Sequence, residues 1–338
     1  GDEASGTEAA ILLLHHLAAG QGDEIDEILK NTNLIIDPIF NPDGRDRFVN
    51  WVNGNRGVVP TTDLQDREHN QPWPRGRTNH YLFDLNRDWL PVTQPESEGR
   101  VKLFHHWRPQ FLLDVHEMGA NSTYFFQPGI KSRINPNTPQ GGIDLTYKLA
   151  PFFAKRLDDI KSLYYSEESF DDFYYGKGST FQDIIGGVGL LIEQASSRGH
   201  VQETNYGEMT FGFTIRNQFL NGIATVEAAV DNKMLLRDYQ KRFFESSLSE
   251  FKNEKIKAYE FGDIHDKNRT KAFIDKLLIH KIKVYKNKDK FVVPVNQLQS
   301  RMVKNFFETH DKYLDSVFYD ASAWSVSNFY NMKHKTLK

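Results

Sequence analysis

RPQFLLDVHEMG (residues 108–119) begins on an Arg-Pro pair, runs through apolar residues and ends on polar ones. That is the pattern of a buried β-strand. A second stretch of the same kind, GVGLLIEQAS (187–196), follows after the helical pattern GGIDLTYKLAPFFAKRLDDI (141–160), and a further helix is expected over about 210–231. Strands alternating with helices predict an α/β fold, with a mixed, largely parallel central sheet covered by helices on both faces. Ligands in such folds sit at the carboxyl ends of the strands. His116 and Glu193 both fall there.

Toward the N-terminus, apolar residues at helical spacing run from Thr7 to Ala19, and Gly20 closes the run as a C-cap would. NLIIDPIF (33–40) is expected to be a short apolar strand, and NPDGRDRF (41–48) to be a turn. Residues 50–80 hold Gly, Pro, Asn and Trp without periodicity, the pattern of a long functional loop. Toward the C-terminus the pattern restarts at Lys233, with the strand IKAYEF (256–261), the helix RTKAFIDKLLIH (269–280) and the stretches KIKVYK (281–286) and KFVVPV (290–295). A catalytic-type domain over 1–232 and a smaller, incomplete α/β domain over 233–338 are therefore expected.

Charge divides the chain at the same place. Residues 233–338 carry 22 Lys and Arg against 13 Asp and Glu, a balance of +9, while the first 232 residues stand at −12. A basic face can bind something acidic, but a solvated surface is the plainer reading, and no nucleic-acid module is recognisable. The chain has no cysteine, which excludes disulfides, a thiol nucleophile and thiolate zinc sites. Any metal must use His, Asp or Glu. No window of the sequence is long and apolar enough to span a membrane.

Single residues carry the chemistry. His116 ends a strand, and Asp114 lies two residues back on the same face, where it could orient the ring; Glu117 points to the other side and reads as structural. The HE pair is no HExxH motif, because Ala120 stands where a second His is required. Asn86 and Arg87 in FDLNRDW suit a carboxylate, through the guanidinium fork and an added amide donor. A capped turn salt-bridged by Asp84 or Asp88 is their ordinary alternative. Glu193 follows four apolar residues, so it must pair, bind metal or take up a raised pKa suited to a general base. GKGST (176–180) is not a G-x-S-x-G nucleophile elbow, which argues against a serine hydrolase built on Ser179.

Taken together, GDEASGTEAA (1–10), NPDG, LNRDW, DVHE and LIEQAS resemble the motifs of the zinc carboxypeptidases, the M14 peptidase family, in order and separation over about residues 1–230. Each is weak alone, and five in order are specific. The resemblance implies that Glu3 belongs to a His-x-x-Glu zinc motif entered just after its His. Glu3 and His116 would then be two of three protein ligands to one Zn2+, with the third, a His, expected just before Gly1. It further implies Glu193 as general base, Arg77 (with Arg75 in reserve) as oxyanion stabiliser, and Asn86 and Arg87 as the grip on a terminal carboxylate. Tyr174 or Tyr175 would be the mobile tyrosine on a lid, and the side-chain pocket would lie on about 176–189, where Asp183 is the sole acid. The implied activity is hydrolysis of C-terminal peptide bonds or cell-wall peptide amides, in a secreted, periplasmic or cell-surface setting. The alternative is a catalytically inactive relative that binds carboxylate-ended peptides. Further domains beyond both ends are expected, and large bacterial relatives carry an additional α/β domain, sometimes like glutamine amidotransferases.

Overall fold

A computed structural model describes residues 1–309, 312–314 and 325–338. The N-terminal part runs through α1 (Ala4–Ala19), α2 (Asp23–Asn31), α3 (Pro42–Asn55) and α4 (Pro95–Trp107) to β1 (Phe111–Met118) and β2 (Tyr124–Phe126). Then come α5 (Gln140–Asp159), α6 (Gly178–Asp183), β3 (Val188–Ala195), the hairpin of β4 (Val201–Thr204) and β5 (Gly207–Thr210), and α7 (Phe211–Asp231). The C-terminal part holds α8 (Lys233–Ser249), β6 (Ala258–Phe261), α9 (Lys267–Ile279), β7 (Tyr285–Asn287), β8 (Lys290–Pro294), α10 (Ser300–Phe307), α11 (Val326–Phe329) and β9 (His334–Leu337).

The central sheet has the order β1-β3-β2, with β1 and β3 parallel and β2 antiparallel. The fold is mixed α/β, as the alternation of strands and helices predicts. The register sets His116 beside Glu193, so both side chains project from one face at the carboxyl ends of the two parallel strands. Leu190 and Ile192 of β3 bury with Leu149 and Phe153 of α5, Ala224 and Ala228 of α7, and Leu236 and Phe243 of α8. On the other side, Trp89, Leu90 and Phe181 share one core with Phe273, Phe306 and Phe307 from beyond residue 233. The C-terminal part thus shares its core with the rest of the chain. Helix α8 joins the core of the central sheet through Leu236, Tyr239 and Phe243, and it also receives Arg301 of α10, which donates to the Ser247 hydroxyl at 2.9 Å.

Two expectations are corrected. NPDGRDRF is the start of α3: Asn41 accepts a hydrogen bond from the Gly44 N–H at 3.0 Å, and Pro42 fills the first turn, where a missing N–H costs nothing. NLIIDPIF joins no strand ladder. Among the described residues the C-terminal sheet, in the order β7-β8-β6-β9, is antiparallel at every pairing. Among the described residues no helix is long and apolar enough to cross a membrane.

Two glycines set close approaches. A Cβ at Gly6 would overlap Val115, so α1 closes on β1 only because none is there. A Cβ at Gly189 would overlap the Ser179 carbonyl, fixing α6 against β3. The Ser179 carbonyl is backbone and cannot yield as a flexible side chain would. Gly189→Ala is expected to destabilise the fold by about 2 kcal/mol, as overpacking does. A lowered midpoint in chemical denaturation checks it, and an unchanged midpoint would refute the close approach.

Candidate metal and peptide site

Glu3 stands at the N-cap of α1 and makes no cap hydrogen bond with its side chain. Its carboxylate is turned to the sheet instead. Oε2 lies 2.5 Å from His116 Nδ1 and accepts from the Glu117 N–H at 3.2 Å, while Oε1 lies 2.9 Å from Arg77 Nη1. The helix is pinned there by Glu117, which accepts from the Ser5 N–H at 2.9 Å and from the Ser196 hydroxyl at 2.6 Å. Burial raises the Glu117 pKa, and these hydrogen bonds from Ser196 and Ser5 oppose the rise. Glu117 is therefore a structural clasp between α1 and the end of β3.

On its far side the His116 ring is held by a carboxylate. Nε2 lies 2.9 Å from Asp114 Oδ1. Asn86 Nδ2 donates to Asp114 Oδ2 at 3.2 Å, and the Ser179 N–H adds a donor to that oxygen at 3.2 Å. The Asn86 carbonyl oxygen accepts from the Gly178 N–H at 2.8 Å and from Trp89 Nε1 at 3.2 Å. Those two donors fix which end of the amide is oxygen. Gln218 Nε2, on α7, donates to the His116 carbonyl at 2.8 Å.

The charges interlock. Burial would lower the His116 pKa, but Asp114 and Glu3 on either side raise it well above its ordinary value. Burial would raise that of Glu3, but His116 and then Arg77 hold it well below the usual carboxylate range. Arg77 also reaches Asp84 at 3.0 Å through Nε, and the two carboxylates raise its pKa against the effect of burial. Glu193 differs from all of these. No hydrogen bond ties its carboxylate to any described residue, and burial above all pushes its pKa up to about 8.

Other expected site residues are differently employed. Asn86, expected to grip a carboxylate, is buried and its amide is engaged by Asp114, by His116 Nε2 at 2.8 Å, and by Gly178 and Trp89. Arg87 donates through Nη1 to the Asn86 main-chain carbonyl at 2.8 Å, with the rest of its fork unused among the described residues. Arg75 is exposed and makes no ion pair among the described residues, whereas Arg77 is paired with Glu3. Tyr174 and Tyr175, expected on a lid, lie folded into the core. Both rings are buried beside Trp89 and Phe181, with the Tyr174 hydroxyl on the Arg87 carbonyl at 3.0 Å and that of Tyr175 on Thr138 at 2.7 Å. Aromatic rings of that size bury strongly once their hydroxyls find partners. Asp183 is buried too, accepting from the Gly189 N–H at 2.9 Å. The roles of Ser5, Ser179, Ser196 and Gln218 carry no sequence signal, since each depends on a contact far away along the chain.

A carboxylate oxygen and an imidazole nitrogen that share a proton, with the imidazole backed by a second carboxylate, are a donor pair suited to zinc. Among the described residues no group of three or more His, Cys, Asp or Glu side chains could hold a metal ion, and Glu3 and His116 stand together as a pair.

The family model described as zinc carboxypeptidase matches residues 1–180. The match ends before β3, so what is said of Glu193 rests on its geometry. No curated protein sequence matches the chain. Among solved structures, the chain is similar to a metallo-carboxypeptidase from Burkholderia cenocepacia, at 15% identity and a TM-score of 0.47. That similarity covers 68% of this chain and 55% of the other, so the chain spans about half the length of the protein it matches.

Proposed function

This chain belongs to the zinc carboxypeptidase family, and from that premise we propose that it is a metallocarboxypeptidase hydrolysing the last amide bond of peptides, or of cell-wall peptides, that end in a free carboxylate. The observation that supports this best is the meeting of Glu3, His116, Arg77 and Glu193 at the carboxyl ends of β1 and β3. Glu3 and His116 would hold the zinc, with a third ligand from outside the described residues. Bound there, zinc would polarise the scissile carbonyl and acidify a water.

The protein's own groups do the rest. Asp114, steadied by Asn86 and Ser179, fixes the His116 ring and leaves Nδ1 facing Glu3. Glu193, partly desolvated and without a hydrogen-bond partner among the described residues, takes the proton of the attacking water and returns it to the leaving amine. Arg77, held rigid by Glu3 and Asp84, offers its remaining N–H groups to the developing oxyanion. The open side of the Arg87 fork receives the substrate's carboxylate.

A second reading, an inactive module that binds carboxylate-ended peptides, is favoured by the two-ligand set. One experiment separates them. The protein, supplied with zinc, is expected to release C-terminal residues from a peptide with a free carboxylate, to stop on chelation, and to leave the C-terminally amidated peptide intact. Release that survives chelation would overturn the metal mechanism. Binding of the peptide without release, at full zinc occupancy, would establish the second reading.

A further inference from the structure

Five residues past Glu193, on the turn that leaves β3, stands Arg198, whose φ of 53° lies in the left-handed region. That conformation costs free energy for most side chains, and such strain persists only where the surroundings impose it. The turn is held from several sides. The Ser196 hydroxyl donates to Glu117 at 2.6 Å and accepts from the Arg198 N–H at 3.1 Å, and the Ser197 hydroxyl donates to the Gly199 carbonyl at 2.8 Å. Gly199 then packs on the buried Glu68 with no room for a Cβ, and Glu68 accepts from the His200 N–H at 2.7 Å. A rigid, strained turn thus aims one long cationic side chain.

We propose that Arg198 is a specificity-determining residue that binds an Asp or Glu side chain on the substrate residue just upstream of the scissile amide. The inference deepens the peptidase reading and rests on it.

Three observations carry it. First, the guanidinium is under-used. Among the described residues its side chain meets only Asp2, with Nη1 3.5 Å from Oδ2, and 39% of that side chain is exposed. An ion pair so long and so open adds little stability. Second, Asp2 is fixed from behind. It is buried, and Gly76 lies so close that a Cβ there would overlap the Asp2 N and Cβ. Third, the contacts set an order among three arginines. Burial would lower the Arg77 pKa, and Glu3, Asp84 and Asp2 together raise it, so Asp2 serves Arg77 as well as Arg198. On the other side, Asp84 pairs with Arg77 at 3.0 Å; its carboxylate accepts from the Asn86 N–H at 2.9 Å and its main-chain carbonyl from the Arg87 N–H at 3.1 Å.

In this chain of contacts Arg77 stands between Arg198, reached through Asp2, and Arg87, reached through Asp84. A substrate with its terminal carboxylate at Arg87 and its scissile carbonyl at Arg77 brings the residue on the amino side of that bond toward Arg198. A carboxylate on that residue meets a fork of N–H donors, where charge and geometry reinforce each other. Arg56, exposed and with Nη1 3.2 Å from His200 Nε2, adds positive charge to the same rim.

Two carboxylate-ended peptides test this, identical except for Glu or Gln immediately before the last residue. Both kcat/KM and calorimetric affinity are measured on the zinc-supplied protein, on Arg198→Asn and on Arg198→Lys. Asn adopts the left-handed conformation more readily than Arg, so the first variant removes the charge without straining the turn. The unmodified protein is expected to favour the Glu peptide about tenfold, the scale of a hydrogen bond to a charged group. Arg198→Asn should bring that ratio close to one, and Arg198→Lys should keep part of it. A ratio close to one in the unmodified protein would overturn the inference. So would a full preference surviving in Arg198→Asn with both peptides slowed alike, the result of a purely structural clasp to Asp2. Failure of the unmodified protein to cleave either peptide would count against the peptidase reading, and the ratio of affinities would then decide on Arg198 by the same criteria.

Discussion

Glu193→Gln is expected to lower kcat by about three orders of magnitude while leaving peptide affinity and zinc content near those of the unmodified protein. The size follows from the loss of a general base, which contributes roughly 10²- to 10⁴-fold. A thousandfold loss is about 4 kcal/mol of transition-state stabilisation. The amide is close to isosteric with the carboxylate, and no hydrogen bond to a described residue is broken by the change. Burial already works against the Glu193 charge, holding its pKa near 8, so the neutral amide leaves stability unchanged or slightly higher. Zinc retention follows because Glu3 and His116, not Glu193, face each other at 2.5 Å. The measurement is kcat and KM on a carboxylate-ended peptide, with calorimetric peptide binding and metal analysis of the same preparation. Wild-type turnover would remove Glu193 from the mechanism. A variant that bound neither zinc nor peptide would place Glu193 in the architecture of the site.

That prediction rests on a residue the sequence itself points to. The chemistry of LLIEQAS is local: one carboxylate at the end of an apolar run can be seen without knowing its neighbours. The same holds for β1, α1, α5 and α7, whose periodicity and ends are written in adjacent residues. What escaped depends on partners. NPDG serves equally as a turn and as a helix start, and only the chain continuing from Phe48 to Asn55 decides between them. NLIIDPIF has strand composition, but a strand also needs an edge beside it, and β1 lies across a cavity. Alternating strands and helices in 256–295 left strand direction open, and the sheet proved antiparallel. Asn86 looked like a substrate ligand because its amide partners, Asp114 and Gly178, are 28 and 92 residues away. Tyr174 and Tyr175 looked mobile because glycines flank them, whereas burial is set by the aromatic residues that close over them.

Lowering the pH from 7 to 4.5 is expected to cost about 3 kcal/mol of stability through His280 alone, and His280→Gln is expected to abolish most of that loss. His280 caps the C-terminal end of α9 and is fully buried where the N-terminal and C-terminal parts share their core. Nε2 lies 2.8 Å from the Leu90 carbonyl, while Nδ1 has no partner among the described residues. Phe181 and Phe306 flank the ring at 5.7 and 5.4 Å between centroids. A proton on Nδ1 would put a charge among these rings. Burial above all, then His105 and Lys276, which also face it, bring its pKa down to about 3, with the Leu90 carbonyl opposing the shift. His105 follows to about 4, through burial, Lys281 and Arg108. In the unfolded chain a histidine titrates near 6.5. Between about 6.5 and 3 the unfolded state therefore holds a proton that folded His280 refuses. The contribution is complete above 6.5 and is lost at about 1.4 kcal/mol per unit as pH falls. Glutamine keeps a donor for Leu90 but cannot titrate. The variant should start somewhat less stable at pH 7 and overtake the unmodified protein near pH 5, as denaturation midpoints across this range will read out. Parallel pH profiles for the two proteins would show that His280 is not the group whose protonation opens this junction.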